Sequence, residues 1–387
     1  MSATDSNTEG PHPGSELNAA NPAQIAADFE TVSGTPESRN PQDTPAGHSR
    51  MVIVDPANPS TEVLREAAEV IRRGGLVAFP TETVYGLGAY ALDVEATSRV
   101  FSVKGRPSTD PLIVHVVSVE QARKLTRTWD DRAEQLAQRF WPGPLTMVLP
   151  KGNVVPDDIT AGRDTVAIRI PAHPIALGLL RESGVAIAAP SANRFGRISP
   201  TSAGDVAEEL AGGYDLLLDG GPTLVGVEST VIDLTGDTAV VLRPGGVTVE
   251  DLESVIGKIV VLKRQSHAED RDALAPGQFL RHYSPSTPLV AMDAPASVMD
   301  ALAQRLRADG VTVGLIELPQ RPADAARVLY SRLRAHDGTA DLLIIPTMAD
   351  GGIGDAVNDR IFRAAQGNVI SSASDEVTGR LLNLIGR

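Results

Sequence analysis

At 387 residues with a formal net charge of −14, the chain has room for about two domains and too little positive charge for a protein that lives on nucleic-acid backbones. A hydrophobic share of 42% supports real cores, and an aromatic share of 4% means that Ala, Val, Leu and Ile build them. The absence of cysteine removes disulfides, zinc knuckles and thiol catalysis together.

Residues 1–50 are rich in Pro, Ser, Asn and acids, a composition that buries too little apolar surface to fold. The expectation is a disordered tail. It has no basic-then-apolar leader pattern, and no Arg occurs before Arg39, which is wrong for a mitochondrial presequence. No apolar run approaches the ~18 residues of a membrane span, so the expected address is cytoplasmic.

Val52-Ile53-Val54 reads as the first strand. From Ser60 a helix follows: Ser60 caps, Val63, Ala67 and Val70 join Leu64, Ala68 and Ile71 on one apolar face, and Arg72-Arg73 close the last turn before Gly74-Gly75. Leu76–Phe79 is a short apolar strand ended by Pro80. It runs into the turn Thr81-Glu82-Thr83, with Tyr85, Gly86 and Gly88 behind it, which is either structural or a ligand loop. A helix over Asp93–Val103 precedes Lys104-Gly105-Arg106-Pro107, and Ser118-Val119-Glu120-Gln121 opens another as a capping box. Further strands are expected at Leu112–Val117, Val166–Ile170, Val185–Ala189, Leu216–Leu218, Ser229–Leu234 and Val240–Leu242. These elements make a mixed α/β domain over 51–257. Residues 258–287 read as a linker, because the charged run at 263–276 has no steady period. Beyond it, over 288–387, strands Leu289–Met292, Val311–Ile316 and Leu342–Ile345 alternate with helices 295–308 and 322–335, then helices run to the end. That alternation implies a smaller, Rossmann-like parallel α/β domain.

Polar clusters follow three strands of the first domain: Pro80–Thr83, Pro190–Asn193 and Arg243–Gly246. Strand ends of one sheet converge, so the three clusters point to one mouth. Arg169 alternates with Ile168 and Ile170 and needs a partner, either an internal carboxylate or an anionic ligand. His115 is either a hydrogen-bonded core residue or part of a site. Glu228-Ser229-Thr230 sets hydroxyls beside a buried run. No Walker loop, G-x-S-x-G or H-E-x-x-H is present, and Gly351-Gly352-Ile353-Gly354 is out of context for a dinucleotide fingerprint. Chemistry would then rest on positioning and on cations, with no covalent nucleophile implied.

Read together, "GGLVAFPTETVYGLG", "KGRP…PLIVHV", "VAIRIP", "PSAN…SPT", "EST", "LRPG" and "PGQFLRHYSP" resemble the threonylcarbamoyl-AMP synthase family in its long, two-domain form, over residues 51–387. The resemblance implies an enzyme that joins L-threonine, bicarbonate or CO2, and ATP into threonylcarbamoyl-adenylate and pyrophosphate. Mg2+ would accompany the ATP, and the product would serve a tRNA threonylcarbamoyl transferase complex. It further implies Thr83, His115, Arg169 and Ser229 for threonine, and Lys104, Arg106, Thr165, Ser191, Asn193, Ser199 and Arg243 for ATP. Lys104 and Arg106 would be the catalytic cations, and Tyr283 the linker residue that closes over the nucleotide. Three positions depart from the family pattern. Asp110 replaces the usual Asn and would either pair with a cation or help hold Mg2+. Gln278 replaces Met, and Phe195 replaces a small residue. The competing readings are a hydrogenase-maturation carbamoyl transferase, which needs cysteine zinc motifs absent here, and an RNA-binding or ribosome-maturation module, which the acidic charge disfavours.

Overall fold

The structure, a computed structural model, describes residues 49–262 and 282–386. Residues 1–48 of the tail expected over 1–50, and residues 263–281 of the expected linker with Gln278, lie outside the described residues, whereas Arg50 already belongs to the first strand.

The first sheet contains β1 (Arg50–Ile53), β2 (Val77–Pro80), β3 (Tyr85–Tyr90), β4 (Ile113–His115), β5 (Leu145–Pro150) and β6 (Thr165–Arg169). It continues with β7 (Ile187–Ala188), β8 (Leu216–Asp219), β9 (Thr230–Asp233), β10 (Val240–Arg243) and β11 (Val260–Val261). Its helices are α1 (Thr61–Arg72), α2 (Val94–Lys104), α3 (Val119–Lys124), α4 (Asp131–Phe140), α5 (Asp157–Thr160), α6 (Pro174–Ser183), α7 (Ala203–Glu209) and α8 (Val249–Ile256). The strands lie in the order β1-β8-β2-β3-β7-β4-β6-β5-β9-β10-β11. Pairing is mixed: β4 runs parallel to β6 and β5 to β9, whereas β2–β3, β3–β7 and β5–β6 are antiparallel.

The second sheet, β12 (Leu289–Met292), β13 (Val313–Leu315), β14 (Leu342–Pro346) and β15 (Val369–Ile370), is parallel throughout in the order β13-β14-β12-β15. Helices α9 (Ala296–Ala308), α10 (Pro322–His336), α11 (Ile353–Ala364) and α12 (Asp375–Leu384) alternate with its strands as the sequence predicts, except that β15 interrupts the C-terminal stretch read as helices only.

Local chemistry explains the elements. Ser60, Asp93, Ser118 and Ser202 each accept a backbone N–H at a helix start, and Ser202 with Asp205 completes a capping box. The apolar stripe of α1 buries Leu64, Ala67, Ala68 and Ile71 against α6 and the β2–β8 face. The other face of the sheet covers the larger core around Leu87, Val114, Met147, Ile168 and Ile232.

Three segments differ from expectation. Gly86 and Gly88 belong to β3, whose pairing with β2 makes a hairpin and confines the turn to Thr81–Val84. A Cβ at Gly88 would stand 2.7 Å from both Ile187 Cγ2 and Phe79 Cε1, so close packing inside the sheet fixes this glycine, not the approach of a ligand. Strand β5 was not expected, since "PGPLTMVLP" opens with turn residues. The first sheet also runs on to Val261, inside the stretch read as linker, because β11 pairs with β10.

From His282 onward the chain packs directly on the first sheet's loops. Val84, Ile198 and Val227 share a core with Tyr283, Leu329, Tyr330, Val357 and Ile361. At Gly226, with φ +81°, an added Cβ would meet the Ala326 carbonyl oxygen at 2.4 Å, so only glycine lets α10 lie this close.

Candidate active site

The expected mouth exists as a cleft of about 50 Å³, lined among others by Thr83, His115, Arg169, Ser191, Ser229 and Arg243. Each comes from a strand end. His115 and Arg169 close β4 and β6, and the parallel register sets them side by side. Thr83 stands in the β2–β3 turn, Ser191 follows β7 and bridges to Gly86, and Ser229 and Arg243 flank β9 and β10. Arg106 and Tyr283 complete the predicted residues on the wall.

Arg169 is buried, and its Nη2 lies 2.6 Å from Glu82 Oε1. Its Nη1 donates to Thr83 Oγ1 at 3.0 Å and its Nε to the Gly143 carbonyl at 3.1 Å. An internal carboxylate therefore partners Arg169, which nonetheless still faces the cleft. A guanidinium has five N–H groups, so donors remain for a ligand. His115 packs edge-on to Phe79, with ring centroids 6.4 Å apart, and its Nδ1 is buried without a partner among the described residues. Burial, with Arg169 beside it, holds the imidazole down to about 3, so at neutral pH it is uncharged.

The cations are held differently. Lys104 ends α2, and the left-handed Gly105 that caps this helix sends the chain to Arg106. Lys104 Nζ donates to the Ser191 carbonyl at 2.5 Å and to the Asn193 carbonyl. Burial first, and Arg106 second, push its pKa well down. Arg106 donates Nε to the Asp110 carbonyl at 3.1 Å and Nη2 to the Pro111 carbonyl at 2.7 Å, with Asp110 Oδ1 2.9 Å from Nη2. Asp110 thus pairs with a cation. Burial raises its pKa while Arg106 and Lys104 pull it back. Arg243 Nη2 donates to the Ser229 carbonyl at 2.9 Å and to its Oγ at 3.2 Å, and Ser229 Oγ lies 2.8 Å from Thr146 Oγ1.

Of the remaining predicted residues, Lys104, Asp110, Asn193 and Ser199 stand behind the wall and Thr165 away from it. Asn193 ties its own loop by donating to the Arg194 and Arg197 carbonyls. Ser199 donates to Glu228 Oε1 at 2.6 Å. Thr165 opens β6, four residues before Arg169 and therefore roughly 13 Å along the strand. Phe195 packs edge-on to His282 at 5.9 Å, which gives the larger side chain its place. His282 and Glu228 line the cleft although the sequence reading gave them no role there. Glu228 preceded an expected strand and "RHYSP" was a noted motif, so each had a weak local signal.

Two family profiles match the chain in sequence. One, described as telomere recombination, covers residues 69–245. The other, described as threonylcarbamoyl-AMP synthase, C-terminal domain, covers residues 247–366. The threonylcarbamoyl-AMP synthase of Pyrococcus abyssi is 46% identical over 323 residues, which span 79% of this chain and 95% of the relative. The chain belongs to the threonylcarbamoyl-AMP synthase family. The Bacillus subtilis relative of the same name is 41% identical over 337 residues, 82% of this chain and 97% of that one. The crystal structure of P. abyssi Sua5 complexed with L-threonine superposes with a TM-score of 0.81 at 44% identity, covering 83% of this chain and 99% of that chain. Both sheets of the synthase fold are therefore present here. No helix among the described residues is long and apolar enough to cross a membrane.

Proposed function

We propose that this chain makes threonylcarbamoyl-adenylate and pyrophosphate from L-threonine, bicarbonate or CO2, and ATP, for threonylcarbamoyladenosine modification of tRNA. The observation that carries the reading is one cleft with two electrostatic halves. Arg169, already balanced by Glu82, stands beside neutral His115 and the Thr83 hydroxyl. On the other side Arg106 and Arg243 line the cleft with Lys104 behind them; Lys104 is held by backbone carbonyls, which orient a cation without neutralising it, and Arg106 by two carbonyls and Asp110. The first half suits a small zwitterion, the second a polyphosphate. A relative of this chain has been solved with L-threonine.

Arg169 would clamp the threonine carboxylate, and Thr83, His115 and Ser229 would take its other polar groups. The amine attacks CO2, forming an N–C bond and losing a proton to solvent. The carbamate oxygen then attacks the α-phosphorus in line, the bond to pyrophosphate breaks, and AMP is transferred. The reaction is thus a nucleotidyl transfer. Charge grows on the departing oxygens, where Lys104 and Arg106 would neutralise it; each cation about 4 Å from a phosphate charge is worth about 4 kcal/mol at an effective dielectric of 20, before desolvation. The donor set does not fit a protein-held Mg2+: Asp110 is committed to Arg106, Glu82 to Arg169 and Glu228 to Arg360. Among the described residues no cluster of metal-ligating side chains forms. An ion arriving on the triphosphate is compatible with this, and no step is assigned to it.

Pyrophosphate release that requires ATP, threonine and bicarbonate together tests the proposal. Release independent of threonine, or none at all from folded protein, overturns it. The adenylate is a reactive mixed anhydride, so its consumer must be an acyl-group transferase acting on tRNA, in the same cytoplasmic compartment.

A further inference from the structure

The most heavily bonded carboxylate at the cleft is held by residues from the far end of the chain. Glu228 Oε2 accepts from Arg360 Nε at 2.8 Å and from Tyr330 Oη at 2.9 Å. Its Oε1 accepts from Ser199 Oγ at 2.6 Å and from Tyr330 Oη at 3.1 Å. Burial pushes Glu228 up, but Arg360, Arg243 and these hydrogen bonds win and hold it below the usual carboxylate range. One guanidinium and two hydroxyls thus commit Glu228 to holding the structure around it.

Arg360, on α11, is fully buried. Besides Glu228 it reaches the Pro244 carbonyl at 2.7 Å and Asp359 Oδ2 at 3.0 Å. Glu228 directly precedes Ser229, and Pro244 directly follows Arg243. Arg360 therefore grips both flanks of the contact in which Arg243 holds the Ser229 carbonyl. Its guanidinium carbon also lies 5.4 Å from the centroid of the Tyr283 ring, which Tyr330 on α10 stacks at 5.6 Å and 29° and the His282 ring meets edge-on at 4.1 Å. Tyr283 is wholly buried with φ +59°, a left-handed backbone that is unfavourable for a non-glycine residue and persists only where the surroundings impose it.

We propose that Arg360 and Tyr330 are positioning residues for the nucleotide half of the cleft: by holding Glu228, the Pro244 carbonyl and the Tyr283 ring, they set where Arg243 and Tyr283 stand. The second sheet and its helices thereby complete the site. The threonine half depends on them less, because Thr83, His115 and Arg169 are set by the β2–β3 turn, β4 and β6, and only Ser229, next to Glu228, is shared between the halves. This inference rests on the functional reading above for the identity of the nucleotide.

Binding of a non-hydrolysable ATP analogue and of L-threonine, measured by calorimetry, separates the two halves. Arg360→Met should weaken the analogue by about tenfold or more, the scale of one lost charge-assisted contact, with threonine affinity within about threefold of wild type. Arg360→Lys should not rescue it, since one ammonium cannot serve Glu228, Pro244 and Asp359 together. Where Arg360→Met fails to fold, Tyr330→Phe keeps the stacked ring and loses only the hydroxyl bonds to Glu228; the analogue should again weaken while threonine binding and melting temperature hold. Unchanged analogue affinity in Tyr330→Phe, or parallel losses of both ligands, overturns the inference. Wild-type protein that binds both ligands but releases no pyrophosphate would sink the functional reading instead, and the ratio of analogue affinities would still decide this one.

Discussion

His115 supplies the sharpest pH test of the cleft. In the unfolded chain its imidazole takes up a proton near 6.5, whereas in the folded protein burial beside Arg169 keeps it neutral down to about 3. Between those values the unfolded state binds one more proton than the folded state. Stability from this group is therefore complete above pH 6.5 and is lost as pH falls toward 3, by about 1.4 kcal/mol per pH unit. From pH 6.5 to pH 5 the loss from His115 alone is about 2 kcal/mol. His115→Gln keeps a polar amide and removes the titration, so the variant carries a constant offset without this slope. Burial also lowers the pKa of His173 and His282, which are common to both proteins and cancel in the difference. Urea unfolding of both proteins at half-unit steps from pH 7.5 to 5 measures it. The stability advantage of wild type over the variant should shrink by about 2 kcal/mol across the acidic part of that range. Parallel profiles would mean that His115 titrates in the folded protein as it does unfolded, and the neutral-imidazole account of the threonine half would be wrong.

Other outcomes are equally concrete. Lys104→Ala or Arg106→Ala should each lower turnover by roughly 10²–10³, checked by steady-state pyrophosphate release. Arg169→Lys should raise the KM for threonine far more than that for ATP, because an ammonium cannot serve Thr83, Gly143 and Glu82 from one point; equal shifts for both substrates would contradict the assignment. Asp110→Asn should lower the KM for ATP severalfold by removing the negative charge that offsets Arg106. Gly88→Ala should destabilise the fold by about 1–3 kcal/mol in urea unfolding, since its Cβ would overlap Ile187 and Phe79.

What was legible in the sequence was whatever local chemistry announces. The stripe of α1, its Ser60 cap and the strand–helix alternation of the second sheet each repeat at a period that burial imposes. The hydroxyl clusters after β2 and β7 and the arginine at the end of β10 were legible too, because polar residues at strand ends have few structural uses. Strand β5 was missed since its flanking Pro142, Gly143 and Pro144 imitate a turn, and β3 was read as a turn on its glycines. Glu228 and Arg360 lie 132 positions apart, and Glu82 and Arg169 are joined only by the folding of the sheet. No local pattern encodes such pairs. The requirement that Arg169 find a partner was visible, but which carboxylate would supply it was not.

How each cation is satisfied separates its role more clearly than its position does. A carboxylate partner cancels charge, so Arg169 with Glu82 leaves the half proposed for threonine nearly neutral, as a zwitterion would require. Excess charge there would favour any anion over an amino acid. Carbonyl partners instead orient a cation while leaving its charge to act. Lys104 rests on the Ser191 and Asn193 carbonyls. Burying such a cation is costly, as the lowered pKa of Lys104 records. A polyphosphate would recover that cost, since its charge favours the protonated lysine and replaces the lost water. Arg106 is intermediate, held by two carbonyls and by Asp110. On the proposed function it is therefore the position at which one acidic residue would tune the pull on the triphosphate without displacing the guanidinium, and Asp110→Asn reads that tuning directly.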